Sequence, residues 1–196
     1  MMGMSYFTNP VVFILDSVFS FYSIAVLLRF LLQWCRGDFR SPISKFLITI
    51  THPPLKLLRR VIPAIGNIDT ASLVLLVVLQ LLSDVTIGYL EGVVSLSAFS
   101  IGGLILTVFA QLLALLLHVL FYAVFARALL SWFDQGGYND VSRLLYSITE
   151  PMLRIFRAML PNLGGLDLSV ILALMGLQLA EMLLLPPLYQ LASLIG

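Results

Sequence analysis

Four long apolar stretches, separated by shorter polar segments, set the pattern of this chain. A helix needs about 20 apolar residues to cross a bilayer, because it rises about 1.5 Å per residue and the hydrocarbon core is about 30 Å thick. Each stretch reaches that length, and helices satisfy their backbone groups internally. The pattern predicts an all-α membrane protein with four transmembrane helices, at residues 11–33, 71–89, 104–126 and 168–189.

The polar segments repeat one another. When the chain is shifted by half of its 196 residues, the segment from Arg29 to Gln80 aligns without a gap on the segment from Arg127 to Gln178. Trp, Thr, Pro, Arg, Gly and Asp residues coincide, which a leucine-rich composition alone would rarely produce. The sequence therefore predicts two tandem repeats, residues 1–98 and 99–196, each a helical hairpin.

The positions of the charges predict the orientation. All 11 Lys and Arg residues lie between residues 29 and 60 or between residues 127 and 157. The positive-inside rule then assigns both basic loops to the cytoplasm and both termini to the periplasm of a bacterial inner membrane. The repeats are consequently expected to be parallel, related by an axis along the membrane normal. The N-terminus lacks a signal-peptide pattern, so we expect the first span to remain in the protein.

Composition narrows the classes of function. The chain is 60% hydrophobic and 11% charged, with a mean hydropathy of +1.04, whereas soluble domains carry about 25% charged residues. The net charge of +1 predicts no nucleic-acid partner. A single cysteine, Cys35, excludes an internal disulfide. Phosphate loops, nucleophile elbows and zinc-ligand spacings are missing from the sequence, so we predict a protein that is not an enzyme, without catalytic residues, cofactor or metal.

Each basic loop contains a ten-residue step between prolines, 53–63 and 151–161. Proline suits the first turn of a helix, and Thr51 or Thr149 is placed to cap it. We therefore predict a short interfacial helix in each cytoplasmic loop, apolar on one side and basic on the other. The basic residues of these helices are Lys56, Arg59, Arg60, Arg154 and Arg157. Anionic lipids, or a protein at the cytoplasmic face, are the expected partners, and plain anchoring to the membrane is the alternative.

An aspartate precedes the second span of each repeat. Arg29 ends the first span at the depth where Asp69 begins the second, and Arg127 and Asp167 repeat this arrangement. The hypothesis is an interhelical ion pair that closes each hairpin. Helix capping by the aspartates is the alternative.

Polar residues also occur inside the spans. Gln80 lies one turn before Asp84, and Gln178 lies three residues before Glu181. If the two faces met at the pseudo-two-fold axis, their oxygens would suit a cation or a proton. The alternative is that the carboxylates sit in headgroup water and the glutamines bond between helices. His118 is either a packed histidine or a haem ligand or proton carrier.

Two copies of one signature carry a family resemblance. The first copy combines Arg29-Phe-Leu-Leu-Gln-Trp34, Thr51-His-Pro-Pro54, Arg59-Arg-Val-Ile-Pro63 and Gly66-Asn-Ile-Asp69. The second combines Arg127-Ala-Leu-Leu-Ser-Trp132, Thr149-Glu-Pro151, Pro161 and Gly164-Gly-Leu-Asp167. This signature resembles that of the YggT family. The first copy departs from it, with His52 in place of the acidic residue and Asn67 in place of the second glycine.

The resemblance implies a role in the membrane and no particular chemistry. Bacterial members of the family are associated with osmotic or envelope stress tolerance and with membrane organisation at cell division. Plastid relatives are associated with nucleoid distribution and with cytochrome assembly. We therefore expect a membrane scaffold or assembly factor that supports envelope or osmotic-stress homeostasis. A cation or proton conduit is the first alternative, and a haem or cytochrome assembly factor is the second. Small residues such as Gly102, Gly103 and Gly176 would allow close contacts between helices, either within one chain or between the chains of a homo-oligomer.

Overall fold

The computed structural model describes residues 4–35, 37, 39, 41–63, 69–92, 101–133, 139–159 and 168–195. The helices within these ranges are α1 (Met4–Trp34), α2 (Pro42–Leu58), α3 (Thr70–Glu91), α4 (Ile101–Phe133), α5 (Asp140–Met159) and α6 (Leu168–Ile195). Four of them, α1, α3, α4 and α6, are long and apolar enough to cross a membrane. The predicted all-α class with four spans and two repeats is confirmed.

Each repeat folds as a hairpin closed by a shorter helix. In the first repeat α1 packs against α3 and α2 links them, while in the second α4 packs against α6 and α5 links them. The two linking helices contact each other, so both lie at the same end of the bundle. Because the described Lys and Arg residues lie on these helices or close to them, we call this end the basic end.

The two hairpins use equivalent core positions. Val26, Leu55 and Leu75 are 0%, 0% and 5% exposed in the first repeat. Their counterparts half a chain later, Val124, Leu153 and Ala173, are all 0% exposed. A residue from each of the three helices therefore meets at the same place in both repeats, which fixes the linking helix against the spans by apolar packing.

The halves contact each other through different sides. Helix α3 packs on α4, α1 packs on α4 and α5, and α2 packs on α5. Among the described residues, the counterpart contacts of α6 with α1 and of α4 with α2 are missing. The surface by which the first repeat contacts the second is therefore different from the surface by which the second repeat contacts the first.

The linking helices begin earlier than the sequence predicted. Helix α2 begins at Pro42, capped by the hydroxyl of Ser41, which accepts from the amide of Ser44 at 3.1 Å. Helix α5 begins at Asp140. The predicted start at the later prolines is wrong because Ser41 and Pro42 already provide a cap and a first-turn proline.

Prolines inside α2 are accommodated by contacts from α1. Pro53 and Pro54 lie within the helix, and Pro54 cannot donate to the carbonyl of Ile50 four residues earlier. The hydroxyl of Tyr22 donates to that carbonyl at 3.1 Å instead. The bond that proline removes is thus replaced by a bond that attaches α2 to the first span.

Candidate functional site

A buried arginine fixes the linking helix to the first span of the first repeat. Arg29 of α1 is 6% exposed, and its Nη1 atom donates to the hydroxyl of Thr51 at 2.8 Å and to the carbonyl of Ile48 at 3.2 Å. Thr51 is fully buried and donates in turn to the carbonyl of Leu47 at 2.6 Å. We call this chain of hydrogen bonds the arginine–threonine bridge.

The second repeat contains the same bridge. Nη1 of Arg127, a side chain that is 5% exposed, donates to Thr149 at 2.9 Å, and Thr149 donates to the carbonyl of Leu145 at 2.7 Å. The guanidinium carbon of Arg127 also lies 3.9 Å from the ring centre of Tyr146, in cation–π contact. Thr149 and Thr51 therefore do not cap helices as predicted, because both lie inside longer helices and accept from arginine.

The aspartate of the first repeat pairs with a different arginine from the one expected. Asp69 is 2% exposed, and its Oδ2 atom accepts from Nη2 of Arg59 and from the hydroxyl of Ser72. Arg29, the expected partner, donates to α2 instead. Arg59 directly follows α2, ten residues before Asp69, so the loop itself brings this closer cation to the carboxylate. Asp69 occupies the N-cap position of α3, but its side chain accepts no hydrogen bond from a backbone amide there.

The electrostatic surroundings of Asp69 favour its charged form. Burial alone would raise the pKa of this carboxyl, but the hydrogen bonds from Arg59 and Ser72 and the charges of Arg59 and Arg29 lower the pKa below its ordinary value. Arg29 thus acts on Asp69 through space without a direct contact. Asp167, the expected partner of Arg127, lies outside the described residues.

Glu150 supplies the carboxylate of the second repeat. One of its oxygens accepts from Nη2 of Arg127 at 2.7 Å and the other accepts from Nη1 of Arg157 at 2.8 Å. The equivalent position in the first repeat is His52, which is exposed. Among the described residues, Arg127 therefore has a carboxylate partner whereas Arg29 has none, so the two basic surfaces are not identical.

The surface of α2 is divided into three sectors. Ser44, Leu47, Thr51 and Leu55 recur at helical spacing and are buried against the bundle. Phe46 and Leu57 are 63% and 64% exposed on a second sector. The third sector carries Lys45, His52 and Lys56, all exposed. This division into buried, apolar and basic sectors is typical of helices that lie at a membrane surface.

The predicted basic residues divide into two groups. Arg59 and Arg157 are engaged in the ion pairs described above. Lys56, Arg60 and Arg154 are exposed, and in the described part of the chain no ion pair involves them. This second group is the part of the predicted basic surface that is available for a ligand.

Five polar residues of the spans form two separate groups, one of three residues and one of two. On α3, Oδ1 of Asp84 accepts from Nε2 of Gln80 at 3.5 Å and from Nε2 of Gln111, on α4, at 3.2 Å. The other amide atom of Gln111, Oε1, is buried without a hydrogen-bond partner among the described residues. This cluster lies at the contact between the two repeats.

Glu181 belongs to a different contact. Its Oε1 atom lies 3.1 Å from Nε2 of His118, between α6 and α4. Helix α4 packs against both α3 and α6, and no close backbone contact joins α3 to α6 among the described residues. Asp84 and Glu181 therefore reach different partners on α4, Gln111 and His118. The predicted symmetric pocket of Gln80, Asp84, Gln178 and Glu181 is therefore not assembled.

Some of these partners escaped the sequence-based prediction. Thr51 and Thr149 were recognised as repeated positions, but their hydrogen bonds with Arg29 and Arg127 were not predicted. The recurrence of the same threonine and the same arginine in both halves was a signal that could have indicated this pairing. Gln111 aligns with Phe13 and has no signal from the repeat. Its polarity within an apolar span was the only available indication.

Comparisons with known proteins agree with the two-repeat architecture. A family model described as CCB3/YggT matches residues 8–90 and again residues 106–188. An uncharacterised Pseudomonas aeruginosa protein is 41% identical over 178 residues, covering 89% of this chain and 87% of the relative. A Vibrio alginolyticus protein encoded next to proC is 37% identical, covering 90% and 94%. The Escherichia coli K12 protein YggT is 33% identical, covering 89% and 88%. No solved structure matches the chain.

Proposed function

The chain belongs to the CCB3/YggT family and is a multi-pass membrane protein, and on that basis we propose that it is a non-enzymatic scaffold. Its two linking helices bind anionic lipid headgroups at the cytoplasmic surface of the inner membrane. Through this binding the protein supports envelope or osmotic-stress homeostasis, or membrane organisation at cell division. The observation that carries the proposal is the exposed basic sector of a helix that is fixed to the bundle by buried hydrogen bonds.

The attachment of the helix supports this proposal. A free amphipathic segment loses conformational entropy when it binds a membrane. Helix α2 is already held by Arg29 and Tyr22, and by the buried side chain of Leu55. Its basic residues are therefore presented at a fixed position without further ordering. A basic residue near an anionic leaflet contributes roughly 1 kcal/mol of attraction.

The positive-inside rule supports a cytoplasmic location for the basic end. The Lys and Arg residues that the structure describes lie on the two linking helices or next to them, and the inner leaflet attracts basic segments through its negative surface potential. An impermeant maleimide reagent applied to intact spheroplasts tests the orientation. A cysteine at position 60 should be protected until the membrane is opened, and labelling in intact spheroplasts would contradict the orientation.

Lipid binding is tested on Lys56, Arg60 and Arg154, the predicted basic residues that are exposed and have no ion pair among the described residues. The triple variant Lys56→Gln, Arg60→Gln, Arg154→Gln is compared with the charge-preserving variant Lys56→Arg, Arg60→Lys, Arg154→Lys. Each protein is purified, and the copurified lipid is quantified by native mass spectrometry after exchange into micelles containing phosphatidylglycerol and phosphatidylcholine. We expect the neutral variant to lose its preference for phosphatidylglycerol while the charged variant keeps it. An unchanged preference in the neutral variant would remove the lipid-binding proposal.

The role in the cell is tested with the same variants. A strain that lacks the gene is complemented with each variant and grown under hyperosmotic stress. The proposal predicts that the neutral variant fails to complement and that Asp84→Asn with Glu181→Gln complements fully. The reverse result would favour the conduit. Immunoblots of membrane fractions establish that all variants are equally abundant.

A cation or proton conduit is the second candidate, and one observation favours it. The buried Oε1 atom of Gln111 has no partner in the described part of the chain, next to the carboxylate of Asp84. Buried acceptors normally have partners, and a cation or a protonated group would provide one. Potassium and proton flux into proteoliposomes tests this candidate. Flux that the Asp84→Asn, Glu181→Gln variant loses would establish the conduit, whereas no flux above that of empty liposomes would exclude it.

A further inference from the structure

We propose that copies of this chain associate side by side in the membrane by repeating, between chains, the contact that the two repeats make within one chain. In this arrangement α6 of one copy packs against α1 of the next copy. The occupant of both free faces is thus a second copy of the same chain in the same membrane orientation.

The asymmetry of the internal contact is the first step. If a two-fold axis related the two repeats, a contact between two different helices would occur twice, once from each repeat to the other. Helix α3 of the first repeat packs on α4 of the second, but the described residues show no counterpart contact of α6 with α1 at backbone distance. Likewise α1 packs on α5, but no such contact joins α4 to α2 in the described ranges. The contact is therefore head-to-tail, and such contacts leave one complementary face open at each end.

The open face of the first repeat is aromatic. In the second repeat, Val119 and Leu144 are 9% and 8% exposed and join the buried cluster of the first repeat. Gln111 is held there by Asp84. Half a chain earlier, Gln111, Val119 and Leu144 correspond to Phe13, Phe21 and Phe46. These three phenylalanines are 72%, 74% and 63% exposed, and we call them the aromatic face.

The open face of the second repeat lies on α6. Asp84, which reaches Gln111 across the internal contact, has Met182 as its counterpart, and this side chain is 62% exposed. Leu179, one turn earlier on the same helix, is 54% exposed. Repeating the internal contact between copies sets Met182 of one chain against Phe13 of the next. A thioether beside an aromatic ring is a favourable contact.

Orientation and depth are also compatible with this association. The internal contact joins parallel repeats, so a second copy inserted in the same orientation needs no inversion. Because Phe13 and Met182 occupy the positions of Gln111 and Asp84, they lie at matching depths when the internal contact is repeated. Exposed apolar area alone does not drive association in lipid, where matched packing is required. The internal contact shows that the equivalent helices, α3 and α4, pack on each other in this arrangement.

Disulfide crosslinking in native membranes tests the proposal. All variants carry Cys35→Ser. Phe13→Cys and Met182→Cys are made as separate proteins with different tags, expressed singly or together, and oxidised with copper phenanthroline. We expect a crosslinked dimer with both tags when they are coexpressed, at least five times more abundant than any product from either protein alone.

Two controls accompany this experiment. Val11→Cys with Leu183→Cys is the matched control. Their counterparts Phe109 and Val85 lie beside the internal contact but remain 56% and 51% exposed, so this pair should not form a crosslink. Asp84→Cys with Gln111→Cys in one chain is the positive control. Its intramolecular crosslink, detected as a shift in mobility, shows that the protein is folded and that the oxidant reaches this depth.

Each remaining outcome has a defined meaning. A dimer formed by Phe13→Cys alone, or by Met182→Cys alone, would indicate a two-fold contact and overturn the head-to-tail arrangement. Equal crosslinking in the Val11→Cys and Leu183→Cys pair would indicate random collision and also overturn it. Absence of any intermolecular product, with a positive internal control, would show that the chain does not self-associate through these faces.

Discussion

Arg29 and Thr51 are joined by a hydrogen bond of 2.8 Å between two buried side chains. Arg29 lies near the end of a span and Thr51 lies in the middle of the linking helix, so the bond attaches the helix at its centre rather than at its ends. Arg127 and Thr149 form the same bond. A donor and an acceptor that recur together in both repeats indicate one structural requirement, which is the fixed placement of the basic helix.

Replacement of Thr51 by valine tests this bridge. Valine keeps the shape of threonine but removes the hydroxyl, so a buried N–H of Arg29 loses its acceptor. We expect a loss of about 1–3 kcal/mol in the free energy of unfolding, the usual cost of leaving a buried polar group unpaired. Thr51→Ser, which keeps the hydroxyl, is the matched control. Thermal unfolding of both variants in detergent, followed by circular dichroism, measures the difference, and equal melting temperatures would contradict the prediction.

Glu150→Gln tests the relative importance of the ion pairs in the second repeat. Glu150 is partly exposed, and exposed pairs contribute about 0–1 kcal/mol. Arg127 also retains Thr149 and the ring of Tyr146. We therefore expect Glu150→Gln to lower the melting temperature less than Thr149→Val does. The opposite order would show that the carboxylate, and not the hydroxyl, holds the second linking helix.

The stability of the protein is expected to depend on pH through Asp69. Because the folded state lowers the pKa of this carboxyl, its contribution is complete above the ordinary pKa, about 3.9, and is lost as the pH falls through the lower folded value. The melting temperature of the native protein should exceed that of Asp69→Asn at neutral pH. This difference should shrink as the pH falls below about 4. A difference that stays constant down to pH 2 would exclude this linkage.

Gly37 is expected to tolerate a side chain poorly. A Cβ atom there would lie 2.7 Å from Cδ2 of Leu32 and 3.0 Å from the hydroxyl of Ser147 on α5. Because Leu32 is 1% exposed and has little room to move, Gly37→Ala is expected to loosen the contact between Gly37 and Ser147, at a cost of about 1–3 kcal/mol.

Cys35 provides the readout of this change. Its thiol lies 3.9 Å from the carbonyl of Ile148, and burial raises its pKa, so maleimide labelling near neutral pH is slow. We expect Gly37→Ala to accelerate labelling. Gly176→Ala, where the new methyl group meets only the tip of the Phe156 ring at 3.2 Å, should leave the labelling rate unchanged.

Composition and periodicity were sufficient to predict the architecture. An apolar run of span length has few alternatives in a membrane, so the four helices and their pairing within repeats followed from the sequence. The helix starts were harder to predict. Pro53 resembled a helix start because proline normally interrupts a helix, and the hydroxyl of Tyr22, which replaces the lost hydrogen bond of Pro54, comes from a different helix.

The partners of the charged groups could not be predicted from repeat symmetry. Arg29 and Asp69 were expected to pair because they share a membrane depth, but depth does not decide between two nearby arginines. Arg59 reaches Asp69 because it directly follows α2. Similarly, Gln80 and Gln178 are equivalent in sequence, but Gln80 lies beside Asp84 at the contact between the repeats, whereas Gln178 lies on α6. Positions that are identical in the repeat have different neighbours, because the halves meet through different faces.

This head-to-tail contact also bears on how the two halves differ. In a two-fold contact, the same surface of both repeats lies in the interface, so equivalent positions have equivalent neighbours. Here Asp84 and Gln111 meet across the internal contact, while their counterparts Met182 and Phe13 are exposed. A polar residue on the internal contact therefore finds a polar partner on the other repeat, whereas its counterpart on the outer surface has none to meet and is apolar. One repeated surface thus stands in two different environments within a single chain.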